Sequence, residues 1–150
     1  MPSAKSEAFP SRTSLLVGRI LLYADEFVAS WIEQQTGDRF NPPYTAFGIV
    51  DPDGQMSGAV IFSAASEADV EMSIVAPKRL SRGVMRVIAR YAFDTAGFNR
   101  ITVRTRASSL RVRGCIEKAG FRQEGVLRSY YRDGDDAIIY GLLVSECRWL

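Results

Sequence analysis

The sequence predicts an α/β (α+β) domain with a mixed, mostly antiparallel central sheet of about seven strands and about three flanking helices. Several apolar runs have strand length, and some of them alternate with polar residues as half-buried strands do. Three other segments place apolar residues at helical spacing. The predicted order is β-α-β-β-β-α-β-α-β-β. The 150 residues, 47% hydrophobic and 24% charged, suffice for one domain with a core.

The first part of the chain is predicted to hold a flexible segment, a strand and a helix. Met1–Ser14 is polar and contains two prolines, so we expect it to be flexible and the domain to span residues 15–150. Leu15–Tyr23 is an apolar run of strand length. The helix that follows is expected to have Asp25 as its N-cap and to end at Gly37.

Three antiparallel strands are predicted in the middle of the chain. Thr45–Val50 and Gln55–Phe62 flank Asp-Pro-Asp-Gly, whose proline and glycine are typical of a hairpin turn. In Asp69–Ala76, apolar Val70 and Met72 alternate with Glu71 and Ser73. This alternation predicts a half-buried strand with Glu71 on its polar face.

Two basic helices and a strand between them follow. Ser81 is expected to cap the first helix, and Ser108 or Ser109 the second, which Gly120 ends. Arg100–Thr105 alternates as a strand does. Each helix is therefore predicted to follow a strand, with a turn between them.

The chain is predicted to end in a hairpin and a packed tail. The predicted strands Gln123–Tyr131 and Ala137–Val144 flank Arg-Asp-Gly-Asp. Tyr130 and Tyr131 are predicted to lie on the first of these strands and to point to opposite faces, so one of them at most faces the site. Trp149 is expected to pack back on the domain.

The positive charge is concentrated in the second half of the chain. Lys78–Arg132 holds 14 basic and three acidic residues, although the net charge of the whole chain is only +2. Arginines at both basic helix starts oppose the helix dipole unless an anion compensates them. We therefore expect a phosphorylated ligand there, and the alternative is a solvated basic face. Nucleic acid fits the charge, but no recognised nucleic-acid motif is present.

The composition excludes two classes of site and indicates a compartment. The sequence has no histidine, which excludes a histidine-based catalytic triad and a histidine-ligated metal site. Cys115 and Cys147 are expected to be reduced, because they are two isolated cysteines without a CxxC pair. No membrane span and no signal peptide are recognised, so a cytoplasmic location is expected.

Three stretches of the sequence carry a resemblance to a known family. They are YAFDTAGFNRITVRT (Tyr91–Thr105), IEKAGFRQEGVLR (Ile116–Arg128) and IIYGLL (Ile138–Leu143). With the element order, they resemble the GNAT superfamily of N-acetyltransferases, most closely its ribosomal-protein N-terminal acetyltransferase-like branch. The resemblance implies a sheet splayed between Asp69–Ala76 and Arg100–Thr105, acetyl-CoA as co-substrate and no metal.

The resemblance also implies where acetyl-CoA binds. The pantetheine arm is expected at the backbone near Ile74 and Val75, and a backbone N–H near Val75 is the expected oxyanion donor. The pyrophosphate is expected at the following helix start, and a second turn approaches the cofactor from the other side. The helix-start residues are Arg79, Leu80, Ser81, Arg82, Gly83 and Val84, and those of the second turn are Ser109 and Arg113. Two departures stand out: the loop has one glycine, and Ile116 takes the place of a tyrosine that some branches use as the acid.

Acyl transfer to an amine needs a base and a proton donor for the thiolate. Without histidine, we predict Glu71 as the base, and the alternative is that Glu71 pairs with an arginine of a neighbouring strand. Ser109, Tyr130 and Tyr131 are the candidate donors, with Ser109 and Tyr130 preferred. Ser109 is alternatively a plain helix cap.

The acceptor is expected to be an amine near two acidic segments. They are the first helix with its following loop (Asp25, Glu26, Glu33 and Asp38) and the last hairpin (Asp133, Asp135 and Asp136). An acidic rim suits a cationic amine, and it also suits ordinary solubility. The predicted function is N-acetyltransfer to a small-molecule amine or a protein N-terminus. The alternatives are an inactive acyl-CoA-binding module and a basic nucleic-acid-binding protein, and a homodimer is kept open.

Overall fold

A computed structural model describes residues 14–150. The predicted flexible segment Met1–Ser14 lies outside the described residues except for its last residue. The described chain forms two compact units. The first comprises residues 14–63 with Ile74–Arg79, and the second comprises Ala64–Ser73 with Leu80–Leu150.

The first unit contains four antiparallel strands in chain order: β1 (Leu15–Val17), β2 (Ile20–Leu22), β3 (Thr45–Val50) and β4 (Met56–Ser63). The single strand predicted from Leu15 to Tyr23 is wrong, because the chain turns back at Gly18, whose φ is +60°. The predicted Asp-Pro-Asp-Gly hairpin between β3 and β4 is confirmed.

Helix α1 (Asp25–Thr36) covers one face of these strands. The predicted N-cap is wrong: Ala24 holds the N-cap position, and Asp25 instead accepts a hydrogen bond from the Ala46 amide at 3.1 Å. The predicted end at Gly37 is confirmed, with φ +78° and its N–H donating to the Glu33 carbonyl. The apolar side of α1 packs in a core with the strands, which fixes the helix on the sheet.

The second unit holds most of β5 (Asp69–Val75) and all of β6 (Arg100–Arg106), β7 (Arg122–Leu127) and β8 (Ala137–Leu143). Their order is β5-β6-β8-β7, in which β5 and β6 are parallel and the other pairs antiparallel. The predicted mixed, mostly antiparallel α/β class is therefore confirmed, with eight strands and three α-helices within residues 14–150.

Helices α2 (Arg82–Ala89) and α3 (Leu110–Lys118) follow β5 and β6. The Ser81 cap of α2 is confirmed, because its hydroxyl accepts from the Val84 amide at 3.2 Å. The predicted serine cap of α3 is confirmed in position but not in its side-chain bond. Ser109 holds the N-cap position without a side-chain capping bond, and the Ser108 hydroxyl donates to Asp135 instead.

The last hairpin differs from its prediction in length. β7 ends at Leu127, so Tyr130 and Tyr131 lie in the connecting loop. The strand stops because Ser129 has a φ of +50° and donates its amide to the Asp136 carboxylate. The prediction that the two tyrosines alternate on a strand is wrong.

The C-terminal tail closes on α3. Trp149 packs back as predicted, and its Nε1 donates to the Ala119 carbonyl at 2.8 Å. The tail thus satisfies a carbonyl at the end of α3 that has no partner within the helix. Across residues 14–150, no helix has the length and apolar character needed to cross a membrane.

Candidate functional site

The parallel strands β5 and β6 pair over only part of their length. The register runs from Asp69 opposite Arg100 to Met72 opposite Val103. β5 continues to Val75 and β6 to Arg106, where β6 still pairs with β8. The pairing therefore stops partway along the same two strands between which the sequence predicts a splay.

A row of arginines follows one face of β6. Arg100, Arg104 and Arg106 alternate with Ile101 and Val103, which are buried. The period of two residues along a strand separates the two sets onto opposite faces. The polar face of β6 consequently carries three guanidinium groups, with Thr102 between the first two.

Arg104 brings two predicted catalytic residues together. Its Nη1 lies 3.3 Å from Oε1 of Glu71, and its guanidinium carbon lies 4.8 Å from the ring centroid of Tyr130. Glu71 and Arg104 are about one-third exposed, at 30% and 36%, so solvent and a substrate can reach them. The sequence predicted Glu71 and Tyr130, but it did not identify Arg104 as the residue between them.

Arg106, two residues further along β6, makes the same kinds of contact as Arg104. Its guanidinium carbon lies 4.0 Å from the ring centroid of Tyr131, and its Nη1 lies 2.9 Å from Asp133. The rings of Tyr130 and Tyr131 contact each other edge to face, with their centroids 5.0 Å apart. Both tyrosines therefore lie on the arginine row, each against its own guanidinium.

Much of the positive charge in the basic block is balanced internally. The ion pairs join Arg100 to Asp69 and Glu124, Arg104 to Glu71, Arg106 to Asp133 and Asp135, and Arg122 to Glu146. The charge excess counted along the sequence thus overstates what remains for a ligand. Exposed basic residues do remain at the start of α2 and along it, namely Arg79, Arg82, Arg86 and Arg90.

Arg113 is bonded within the second unit. Its Nε donates to the hydroxyl of Tyr140 at 3.1 Å, and its Nη1 donates to the Ala107 carbonyl at 2.9 Å. Tyr140 is fully buried and donates to Glu117 at 2.8 Å. Burial raises the pKa of Tyr140, so the phenol stays neutral and is able to donate. Sequence reasoning missed this network because no local signal joins Arg113 to Tyr140.

The predicted pyrophosphate residues begin α2. Ser81 and Arg82 are exposed and Val84 is buried under the first turn. A Cβ built at Gly83 would meet only the Ser81 hydroxyl, at 3.7 Å. The packing of the protein therefore does not require glycine here, and the open backbone fits the close approach of a phosphate.

In the first unit, the end of β5 lies close to β4. A Cβ at Gly58 would come within 2.6 Å of the Val75 carbonyl and 2.8 Å of Pro77. Only glycine permits this approach without a shift, so Gly58 helps to fix the backbone at Val75. Ile74 and Val75 are half-buried, and Arg79 is exposed.

Several carboxylates of the predicted acceptor rim already accept hydrogen bonds from other groups of the protein. In the first unit, Asp25 accepts from Ala46 and Glu33 accepts from the Phe40 amide. Burial, followed by the charges of Glu26, Glu33 and Asp25, raises the pKa of Tyr44. In the last hairpin, Asp133 binds Arg106, Asp135 binds Ser108, and Asp136 accepts from Ser129.

Comparisons with known proteins agree with the fold. No family model matches the chain. A Bacillus subtilis (strain 168) protein, named provisionally as a ribosomal protein bS18 alanine N-acetyltransferase, is 22% identical over 82% of this chain and 85% of its own length. An uncharacterised N-acetyltransferase of Methanocaldococcus jannaschii is 27% identical over 62% of this chain and 63% of its own length.

Solved structures of acetyltransferases share the architecture. A chimera of spermidine N-acetyltransferase from Vibrio cholerae matches with a TM-score of 0.61 at 17% identity, over 77% of this chain and 76% of its own. A GCN5-related N-acetyltransferase from Brucella melitensis matches with a TM-score of 0.60 at 20% identity, over 81% of this chain and 59% of its own. The resemblance predicted from the sequence is confirmed as a resemblance: the two curated relatives are named as N-acetyltransferases, and the solved acetyltransferase structures share the fold.

Proposed function

We propose that this chain transfers an acetyl group from acetyl-CoA to a primary amine by direct attack in a ternary complex. The observation that carries the proposal is the cluster of Glu71, Arg104 and Tyr130 beside the end of pairing between β5 and β6. The names of the relatives support N-acetyl transfer as the reaction class.

In the proposed reaction, the amine nitrogen attacks the thioester carbonyl carbon. A new C–N bond forms, the C–S bond breaks, and the sulfur leaves as a thiolate. Glu71 accepts the proton that the nitrogen loses, and the hydroxyl of Tyr130 or Ser109 supplies a proton to the thiolate. The absence of a capping bond on Ser109 supports its candidacy, since its hydroxyl is not engaged as a helix cap. A backbone N–H near Val75 remains the proposed oxyanion donor.

Acetyl-CoA, when bound, supplies the activated acetyl group. We expect the backbone of Ile74 and Val75 to bind its pantetheine arm and the stretch from Arg79 to Val84 to bind its pyrophosphate. The open backbone at Gly83 and the exposed Arg82 support this assignment. Ser109 and Arg113 are further predicted contacts. Arg113 is the weaker of these, because its guanidinium already donates to Tyr140 and Ala107.

The acceptor is proposed to be a cationic primary amine, of a small molecule or a protein N-terminus. The names of the B. subtilis relative and the V. cholerae structures refer to a ribosomal protein and to spermidine, and both offer amines. Acidic side chains around Tyr44 in the first unit would attract such a cation. A cytoplasmic location and a homodimer remain predictions.

Release of free thiol from acetyl-CoA, measured across a panel of amines and peptides, tests the activity. We expect thiol release that depends on the acceptor, together with acetyl-CoA binding in calorimetry. Binding without thiol release would favour the second candidate, an inactive acyl-CoA-binding module. The single glycine of the loop and Ile116 in place of a tyrosine support that candidate. If acetyl-CoA does not bind at millimolar concentration while DNA binds with a steep salt dependence, the proposal is wrong.

A further inference from the structure

Arg104 differs from the other arginines of β6 in what it touches. Arg100 and Arg106 each contact two carboxylates, with nearest distances of 2.5 and 2.9 Å. Arg104 contacts the carboxylate of Glu71 at 3.3 Å and the ring of Tyr130. Its partners are thus the proposed base and one proposed acid.

The contact geometry leaves Glu71 able to react. The ion pair uses Oε1 of Glu71, and the 3.3 Å distance is longer than the charge-assisted bonds on either side of it. An arginine remains protonated at any working pH, so Arg104 neither takes nor gives the proton. Its contribution is to orient its two neighbours.

The ring contact completes the arrangement. A guanidinium stacks as a planar cation on an aromatic face, which an ammonium does less well. Tyr130 is 44% exposed and lies in a loop, where its ring contacts the ring of Tyr131 and the guanidinium of Arg104. The contact with Arg104 joins the Tyr130 ring to β6.

We propose that Arg104 is a positioning residue, which holds the Glu71 carboxylate and the Tyr130 phenol in one arrangement for acyl transfer. This inference rests on the proposed function. Neither residue type nor spacing marks Arg104 in the sequence, because three arginines alternate along β6. The assignment comes from its two contacts.

Steady-state kinetics of Arg104→Gln, with acetyl-CoA and the best amine of the panel, tests the inference. We expect kcat to fall about tenfold and the KM for acetyl-CoA to stay within about twofold, since the cofactor contacts are elsewhere. In a Glu71→Gln background, the same change should lower kcat by less than about threefold, because one of the two residues that Arg104 orients is already disabled and only Tyr130 remains to be misplaced. A full tenfold loss in that background would overturn the inference.

Arg106 supplies a matched control. It lies two residues further along the same face, stacks on a tyrosine and pairs with a carboxylate, but it touches neither Glu71 nor Tyr130 in the contacts described above. Arg106→Gln is expected to keep kcat within about twofold of the wild type. Melting temperatures of both variants show whether either loss reflects folding.

A lysine pair keeps the test decisive if Arg104→Gln does not fold. Lysine retains the charge but not the planar stacking face, so Arg104→Lys should lower kcat by about threefold at unchanged KM, and Arg106→Lys should not. Equal kcat for Arg104→Lys and Arg106→Lys would overturn the inference. A wild-type protein that releases no thiol would instead refute the proposed function, and this inference with it.

Discussion

At position 83 the chain carries a glycine that its own packing does not require. Gly83 has no positive φ, and a Cβ there would make only an ordinary contact with Ser81. A glycine at such a position costs helix stability. We propose that the bare backbone is kept for the close approach of a pyrophosphate.

Replacing this glycine separates stability from binding. Gly83→Ala should raise the free energy of unfolding by about 0.5–1 kcal/mol, through helix propensity, and weaken acetyl-CoA binding by about tenfold. Urea unfolding and calorimetry measure the two effects. Gly114→Ala in α3 is the matched control, since a Cβ there also meets open space, and we expect it to leave acetyl-CoA affinity unchanged. Unchanged affinity in Gly83→Ala would remove this residue from the cofactor site.

At the scale of elements, α3 is fastened to β8 by one buried tyrosine. The hydroxyl of Tyr140 accepts from Arg113 and donates to Glu117, both on α3. The bonds satisfy the hydroxyl of a phenol that is fully buried. Arg113, predicted from sequence to contact the cofactor, thereby acquires a role within the fold.

Tyr140→Phe removes this connection without changing the ring. We expect the free energy of unfolding to fall by about 1–2 kcal/mol, since a buried hydroxyl and its two partners lose their bonds. Hydrogen exchange of the α3 amides should quicken. Tyr23→Phe, at a site 67% exposed, should change neither measurement. A Tyr140→Phe protein as stable as the wild type would show that the network contributes nothing.

The loop between β7 and β8 is held by a carboxylate with a lowered pKa. The backbone N–H of Asp135 and then the guanidinium of Arg106 lower the pKa of Asp133. A carboxyl group whose pKa is lower in the folded state stabilises the fold above its ordinary pKa. This contribution is lost as the pH falls through the lowered value.

The pH dependence of the protein's stability follows from the direction of this pKa shift. Asp133→Asn should lower the urea midpoint at pH 7, where the wild-type carboxylate is charged. The difference between the two proteins should shrink as the pH falls below about 4 and approach zero once the wild-type carboxyl is protonated. A difference of equal size at pH 7 and at the acid end would mean that the charge of Asp133 plays no part in the loop.

At the scale of the whole molecule, the turns were the most predictable part of the fold. Gly37, the Asp-Pro-Asp-Gly hairpin and Ser81 act through the backbone of their own neighbours, so local sequence determines them. The single predicted strand at Leu15–Tyr23 was wrong, because a lone Gly18 in an apolar run did not indicate that the chain reverses there.

The candidate site was less predictable, since it depends on contacts between distant residues. Glu71 and Tyr130 were predicted from residue type and resemblance. Their common contact with Arg104 depends on the register of β5 with β6 and on where β7 ends. The ion pairs between the basic residues and carboxylates could not be predicted for the same reason. The sequence shows which residues are charged, but it does not show which of them become partners. Long-range register of this kind has no local signal.

The central claim is that Glu71 is the base of an acetyl-CoA-dependent transfer, and Glu71→Gln tests it most directly. The amide is nearly isosteric with the carboxylate but cannot accept the proton, so kcat should fall about 10²–10⁴-fold while acetyl-CoA affinity stays within about twofold. Turnover and calorimetric affinity, measured on the same preparation across pH, give both quantities. Unchanged turnover at every pH would contradict the account.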